Sequence, residues 1–197
     1  RMELAAVAIK QQAWAEAEDL LDVALDDCRA TGDVRTEALC LGNRAVARRK
    51  RGRFAEAVDD ARAAVERVAP LGMPRREALA RVMLSEALDH AGAPDEARAE
   101  AERALVLAEH HGDRKLIGEV LLVIGEATHD PARFRRAVEQ FRAVDRLRLV
   151  EALVRLAEIE PDDEAARAAY VEARALVGTI EPPPIVREIL AALAERW

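Results

Sequence analysis

Ala17, Ala57, Ala97 and Ala137 stand 40 residues apart, each in a similar string: WAEAEDLL, FAEAVDDA, PDEARAEA and FRRAVEQF. Three residues before each alanine come Trp14, Phe54, Pro94 and Phe134; seven after it come Ala24, Ala64, Ala104 and Val144. Gly32, Gly72 and Gly112 keep the same period, and Asp33 and Asp113 each follow one of them. A shorter fifth copy, with Ala166, Tyr170 and Ala173 at the matching offsets, lies 29 residues on from Ala137. A fixed period of this length means stacked copies of one supersecondary unit, none able to bury its apolar face alone.

Each copy reads as two helices. In the second, residues 36–51 carry a small-apolar stripe at Ala38, Leu41, Gly42 and Ala45, at helical spacing. Gly52 stops that helix. Residues 54–69 carry a stripe at Ala57, Ala61, Ala64, Val65 and Val68, and Pro70 and Gly72 end it. Pro94, Pro131 and Pro161 are expected in the first turn of the second helices of copies three, four and five, where a missing N–H costs nothing. Helices joined by so short a turn run antiparallel and close. An approach near the lower end of the roughly 8–10 Å range needs small side chains at the crossing. Ala45, Ser85 and Gly125 are expected on one side of it and Ala57, Ala97 and Ala137 on the other, with Trp14, Phe54 and Phe134 plugging the hairpin ends. Glu100 falls on the solvated face.

Composition agrees. Half of the residues are hydrophobic, yet only 3% are aromatic. Much of the remainder is alanine, a strong helix former that brings backbones together. Charged residues of both signs are interspersed, as on solvated helix faces. The fold class is therefore all-α.

The pattern resembles the tetratricopeptide repeat (TPR). In that family a small residue sits midway along the first helix and a glycine at the turn. An aromatic, a preferred alanine and two further apolar positions follow in the second helix. Those roles match Ala45, Gly52, Phe54, Ala57, Ala61 and Ala64 in copy two, and Gly125, Ala132, Phe134, Ala137, Phe141 and Val144 in copy four. The usual period is about 34 residues, so this chain resembles the extended, 40-residue type found in bacterial signalling and regulatory proteins. Copy three lacks the aromatic. The resemblance implies a right-handed superhelical solenoid of about five hairpins with a C-terminal capping helix, forming one repeat domain. The repeats run over residues 1–32, 33–72, 73–112, 113–145 and 146–178, and the cap over 184–197. The first helix begins before Arg1, so the chain reads as a fragment of a longer protein, with Leu4, Ala5 and Ala8 facing a missing hairpin. In the cap, Ile185, Ile189, Leu190 and Leu193 are expected to face the fifth hairpin.

Within the family, ligands lie in a concave groove lined by the first helices. Mapping its inward positions gives Asn43, Val46, Arg49 and Lys50 from copy two, and Met83, Glu86, Asp89 and His90 from copy three. Copy four gives Val123, Glu126 and His129; copy five gives Arg148, Glu151 and Arg155. The implied partner is a protein or peptide. The carboxylate clamp of some family members needs a fuller Lys/Asn set than Asn43 and Lys50.

Other chemistry is not indicated. No GxxxxGK[ST], GxGxxG, HExxH, GxSxG or paired CxxC occurs, so neither an enzyme, a cofactor nor a metal site is expected. His110 and His111 suit a helix C-terminus. A net charge of −7 argues against nucleic acid and anionic membranes. Cys28 and Cys40 form no framework and read as small reduced core side chains, pointing to the cytoplasm. The run RAVARRKRGR over 44–53 is either a solvated cationic helix end or a contact for an acidic partner. The reading is an interaction module, the sensor or scaffold arm of a larger cytoplasmic regulator such as a signal-transduction ATPase or transcription regulator. The alternative is an oligomerisation or spacer segment, self-associating through its terminal helices.

Overall fold

The computed structural model describes residues 1–178 and 182–196. Among these there are eleven α-helices, one short 3-10 turn at Ala69–Leu71, and no strand. They pack as two compact units, Arg1–His111 and Gly112–Trp197. Trp197, placed in the capping helix by the sequence reading, lies outside the described residues.

The first unit holds α1 (Met2–Lys10), α2 (Trp14–Thr31), α3 (Val34–Lys50), α4 (Phe54–Val68), α5 (Pro74–His90) and α6 (Pro94–His111). Each helix packs on the next in sequence, and α3 packs also on α5, so one first helix lies against the next. The seam is as expected from the repeat. Ala17, Ala57 and Ala97 are wholly buried, and Ala45 and Ser85 nearly so. Ala5 and Ala8 are buried as well, so α1 turns its alanines into its own hairpin. Its unpartnered face carries Leu4 and Val7, 60% and 48% exposed. That corrects the expected face: Ala5, 40 residues before Ala45, takes the crossing position.

The second unit holds α7 (Arg114–Thr128), α8 (Pro131–Phe141), α9 (Arg146–Ile159), α10 (Asp163–Val177) and α11 (Pro184–Ala194). Its core relies on larger side chains. Phe141, Leu116, Leu121, Ile124, Val120, Val150, Leu153 and Val154 are all essentially inaccessible. The close approach comes from glycine beneath an aromatic ring. A Cβ added to Gly118 would lie 2.6 Å from the Phe141 ring, and one on Gly125 would lie 2.9 Å from Phe134. Phe134 is accordingly buried, whereas Phe54, whose copy has Ala45 at the crossing, stays 36% exposed and leans on His90 with ring centroids 5.7 Å apart. The aromatic plug therefore closes fully in copy four only.

The caps follow from chain chemistry. Asp33, Asp113 and Asp145 accept hydrogen bonds from the backbone N–H groups of Thr36, Leu116 and Arg148, satisfying donors that a helix start leaves open. Asp130 and Asp162 do the same for α8 and α10. From Asp113 to Asp145 is only 32 residues, because α8 is 11 residues long against 18 for α6. Three expectations for these copies are corrected. Val144 lies in the turn beyond the shortened α8 and is 47% exposed, so Phe141 takes the last core position. The turn residue is His129, at φ 50°, while Ala132 already belongs to α8. Pro161 precedes the N-cap Asp162 and so stands outside α10.

The last helix packs chiefly on α9 and touches α10, as a cap on the fifth hairpin. Its buried face is Val186, Leu190 and Leu193, with Pro182 also buried, while Ile185 is 51% exposed. Val186 stands four residues before Leu190 and seven before Leu193, so it, and not Ile185, completes the buried stripe.

Two stability outcomes follow. Ala97→Glu forces a charge into a closed crossing and should cost at least about 4 kcal/mol, while Arg98→Gln on the exposed side should stay within about 0.5 kcal/mol; thermal melts of the two variants compare them directly. Gln12, at φ 59°, occupies the left-handed turn that Gly52 and Gly92 fill in later copies. Gln12→Gly relieves a cost of roughly 1–2 kcal/mol, partly offset by glycine's chain entropy. The melting temperature should rise by about 2 °C.

Candidate protein-interaction face

All fourteen sequence-derived groove residues lie on first helices or at the end of one, and none is buried. In the first unit, Asn43, Val46, Arg49 and Lys50 project from α3 and Met83, Glu86, Asp89 and His90 from α5. In the second, Val123 and Glu126 lie on α7, His129 caps it, and Arg148, Glu151 and Arg155 lie on α9.

The basic run of residues 44–53 is mostly engaged within the protein. Arg44 binds Asp60 at 2.6 Å and also reaches Asp22. Arg48 lies 2.9 Å from both Glu18 and Asp60. Arg51 and Arg53 converge on the same Glu18, and Arg53 also grips Glu56. Arg49 crosses from α3 to Glu86 of α5 at 2.8 Å. Glu18 and Asp60 are buried on α2 and α4, so these arginines compensate carboxylates that desolvation would otherwise penalise. Of the six cations only Lys50 makes no salt bridge among the described residues. The geometry thus favours a structural role for the run, stitching hairpins one, two and three.

Glu37, also buried, is held by Arg29 at 3.5 Å and Arg67 at 3.4 Å. Glu100 is no solvated bystander: it binds Arg81 across the α5–α6 hairpin at 2.6 Å and is largely shielded. Sequence periodicity places Glu100 outward but does not show that Arg81, on the facing helix, reaches over it.

The first unit has a cleft of about 280 Å³ between α3 and α5, with Val68 of α4 at its base, lined by Arg35, Ala38, Leu39, Gly42, Val68, Arg75, Arg76, Leu79, Ala80 and Met83. Of these, only Met83 belongs to the sequence-derived groove set. The other groove-facing lining residues stand one to two turns nearer the start of each helix. A signal existed: Arg35, Arg75 and Lys115 recur every 40 residues, as do Leu39, Leu79 and Glu119.

The second unit has a more polar cleft, of about 360 Å³, where Glu126, His129 and Arg155 meet Gly125, Phe134, Glu158 and Ile159. Arg155 bonds Glu126 at 3.2 Å and Glu158 at 3.3 Å. Arg148 pairs with Glu151 at 2.7 Å, and Lys115 with Asp145 at 2.7 Å. Burial raises the pKa of Glu119, with the charges of Arg148 and Lys115 opposing it. Where the first unit offers leucines, the second offers a carboxylate.

Cys28 and Cys40 are buried free thiols, and Cys40 donates toward the Met2 sulfur at 3.0 Å. Desolvation first, then Cys28, pushes the Cys40 thiol up to about 12, far from a reactive thiolate. Among the described residues no group of His, Cys, Asp and Glu is placed to hold a metal ion, and no helix is long and apolar enough to cross a membrane.

Solved structures resemble this arrangement. BtubC (BKLC) from P. vanneervenii superposes with a TM-score of 0.74 at 18% identity, covering 92% of this chain and 81% of that one. A Podosopora anserina putative kinesin light chain with nearly identical TPR-like repeats gives 0.59 at 16% identity, covering 97% and 93%; a point variant of it gives 0.60 at 17%, covering 98% and 94%. At these identities the likeness is one of fold, and it is to TPR-like repeat proteins. No family model matches the chain, and no curated protein matches its sequence.

Glu18 allows a pH test. Desolvation works to raise its pKa, but hydrogen bonds from Arg48 and Arg51 and the charges of Arg53 and Arg48 prevail, and the net direction is down. A lowered folded pKa contributes stability above the ordinary Glu value of 4.5, and loses it as the pH falls through the folded value. Glu18→Gln leaves arginines facing a neutral group and should cost about 3 kcal/mol at pH 7. Denaturant titrations at stepped pH should show the gap between wild type and variant closing below 4.5.

Proposed function

We propose that this chain is a non-catalytic protein-interaction module that binds a protein or peptide along the exposed faces of its first helices. One observation carries the reading: every groove residue keeps solvent access although the hairpins around it are tightly closed. The TPR-like fold supports it, because first-helix faces are the surfaces that stacked hairpins leave for ligands. The 40-residue period further supports a place as the sensor or scaffold arm of a larger bacterial regulator, a signal-transduction ATPase or transcription regulator in the cytoplasm.

The test is cross-linking of the tagged chain in its native cells, followed by variants. Partner cross-links should fall on the faces of α3, α5, α7 and α9. Lys50→Glu with Asp89→Lys should weaken the captured partner's binding at least about tenfold, with melting shifted by no more than about 2 °C. Cross-links confined to second helices would sink this reading.

A second reading, self-association through a terminal helix, has its own support in the exposed Leu4 and Val7 of α1. It requires that Leu4→Glu with Val7→Glu turn an oligomer into a monomer. The interaction-module reading expects the same sedimentation mass for both forms.

A further inference from the structure

The cleft between α3 and α5 gives the interaction reading a specific ligand chemistry. Its floor is apolar: Leu39, 42% exposed, and Leu79 line it from equivalent positions of two repeats, together with Met83. Its rim is cationic, with Arg35 and Arg76 among the lining residues. Neither makes a salt bridge among the described residues. They differ in this from the five arginines of residues 44–53, each of which holds a carboxylate, in a chain of net charge −7. At ~30 Å³ per water, 280 Å³ is on the order of nine waters, room for one large side chain and its flanking backbone.

Resting on the interaction reading, we propose that this cleft binds an acidic peptide segment that inserts one large apolar side chain over Met83 and sets carboxylates against Arg35 and Arg76. Charge complementarity supplies the choice of occupant. A carboxylate arriving at Arg35 or Arg76 breaks no salt bridge among the described residues, whereas one arriving at Arg44 or Arg48 competes with Asp60 and Glu18. A chain fits better than a small amphiphile because the surface continues past the cleft to Asn43 and Val46 on the same helix. A helix of 17 residues is ~25 Å long, enough to carry roughly seven residues of extended chain. The floor is adaptable: the sulfur of Met83 occupies the space that Gly42 leaves, at 2.8 Å from where a Cβ would stand. An unbranched thioether re-packs readily around different anchors.

The probe is a displayed library of random twelve-residue peptides selected on the whole chain, with a recovered peptide then labelled for fluorescence anisotropy. Selected peptides should be rich in Asp and Glu beside a Leu, Phe, Met or Trp. Binding should weaken with added salt, since the rim contacts are solvent-facing. Arg35→Glu with Arg76→Glu should weaken it at least about tenfold. Gly42→Ala, which displaces only the flexible Met83, should weaken it too while the thermal melt holds. Peptides that bind equally well to both variants but fail on Arg155→Glu would overturn the cleft and leave the interaction reading standing. A neutral or basic consensus overturns the cleft as well. Recovery of no peptide would overturn both, and decanoate binding in its place would assign the cleft to a small anionic amphiphile.

Discussion

The close antiparallel crossing within each hairpin is the constraint from which the rest follows. Two backbones near the lower limit of helix separation leave room for a methyl group or less. The chain meets this in two ways. In the first unit the small residues Ala5, Ala8, Ala17, Ala45, Ala57, Ser85 and Ala97 are all buried, with Ala17 packed against Ala8 and Ala47. In the second, Gly118 and Gly125 receive the rings of Phe141 and Phe134. Both arrangements fix which faces remain for the outside. With the second helices committed to the seam and to the next hairpin, we propose that recognition chemistry sits on the exposed surface of the first helices.

Much of this was legible from spacing. A 40-residue period of small residues identifies the seam, and the seam identifies the hairpins and their outward faces. What escaped has physical causes. The turn of copy four was misplaced because His129, rather than a glycine, adopts the left-handed conformation there, at a position three residues early. On the last helix Leu190 and Leu193 are buried as expected, but Ile185 is exposed, because Val186, four residues before Leu190 and seven before Leu193, completes the buried stripe. The partners of the basic run were illegible because they lie on other helices: Glu18 is 30 residues from Arg48, and Glu86 is 37 from Arg49.

The candidate site shows the same division. Inward positions carried over from the repeat pattern all keep solvent access, so their accessibility was legible. The deepest apolar part of that face was not, because it depends on what neighbouring helices leave empty. Leu39 and Leu79 look like ordinary stripe residues until Gly42 and Met83 are seen to open the space between them. Arg35 and Arg76 become distinctive only when most of the surrounding arginines are found occupied.

The internal ion pairs also bear on how the first unit comes apart. Arg44 joins α3 to Asp22 of α2 and Asp60 of α4, Arg48 joins the same helices through Glu18 and Asp60, and Arg49 reaches α5. In a one-dimensional array of repeats, cooperativity is set by the free energy between neighbours. Here several of those couplings converge on one short stretch of α3. Opening that reaches the second hairpin is therefore expected to meet a barrier there, with amide hydrogens of α3 and α4 exchanging together, as a single event.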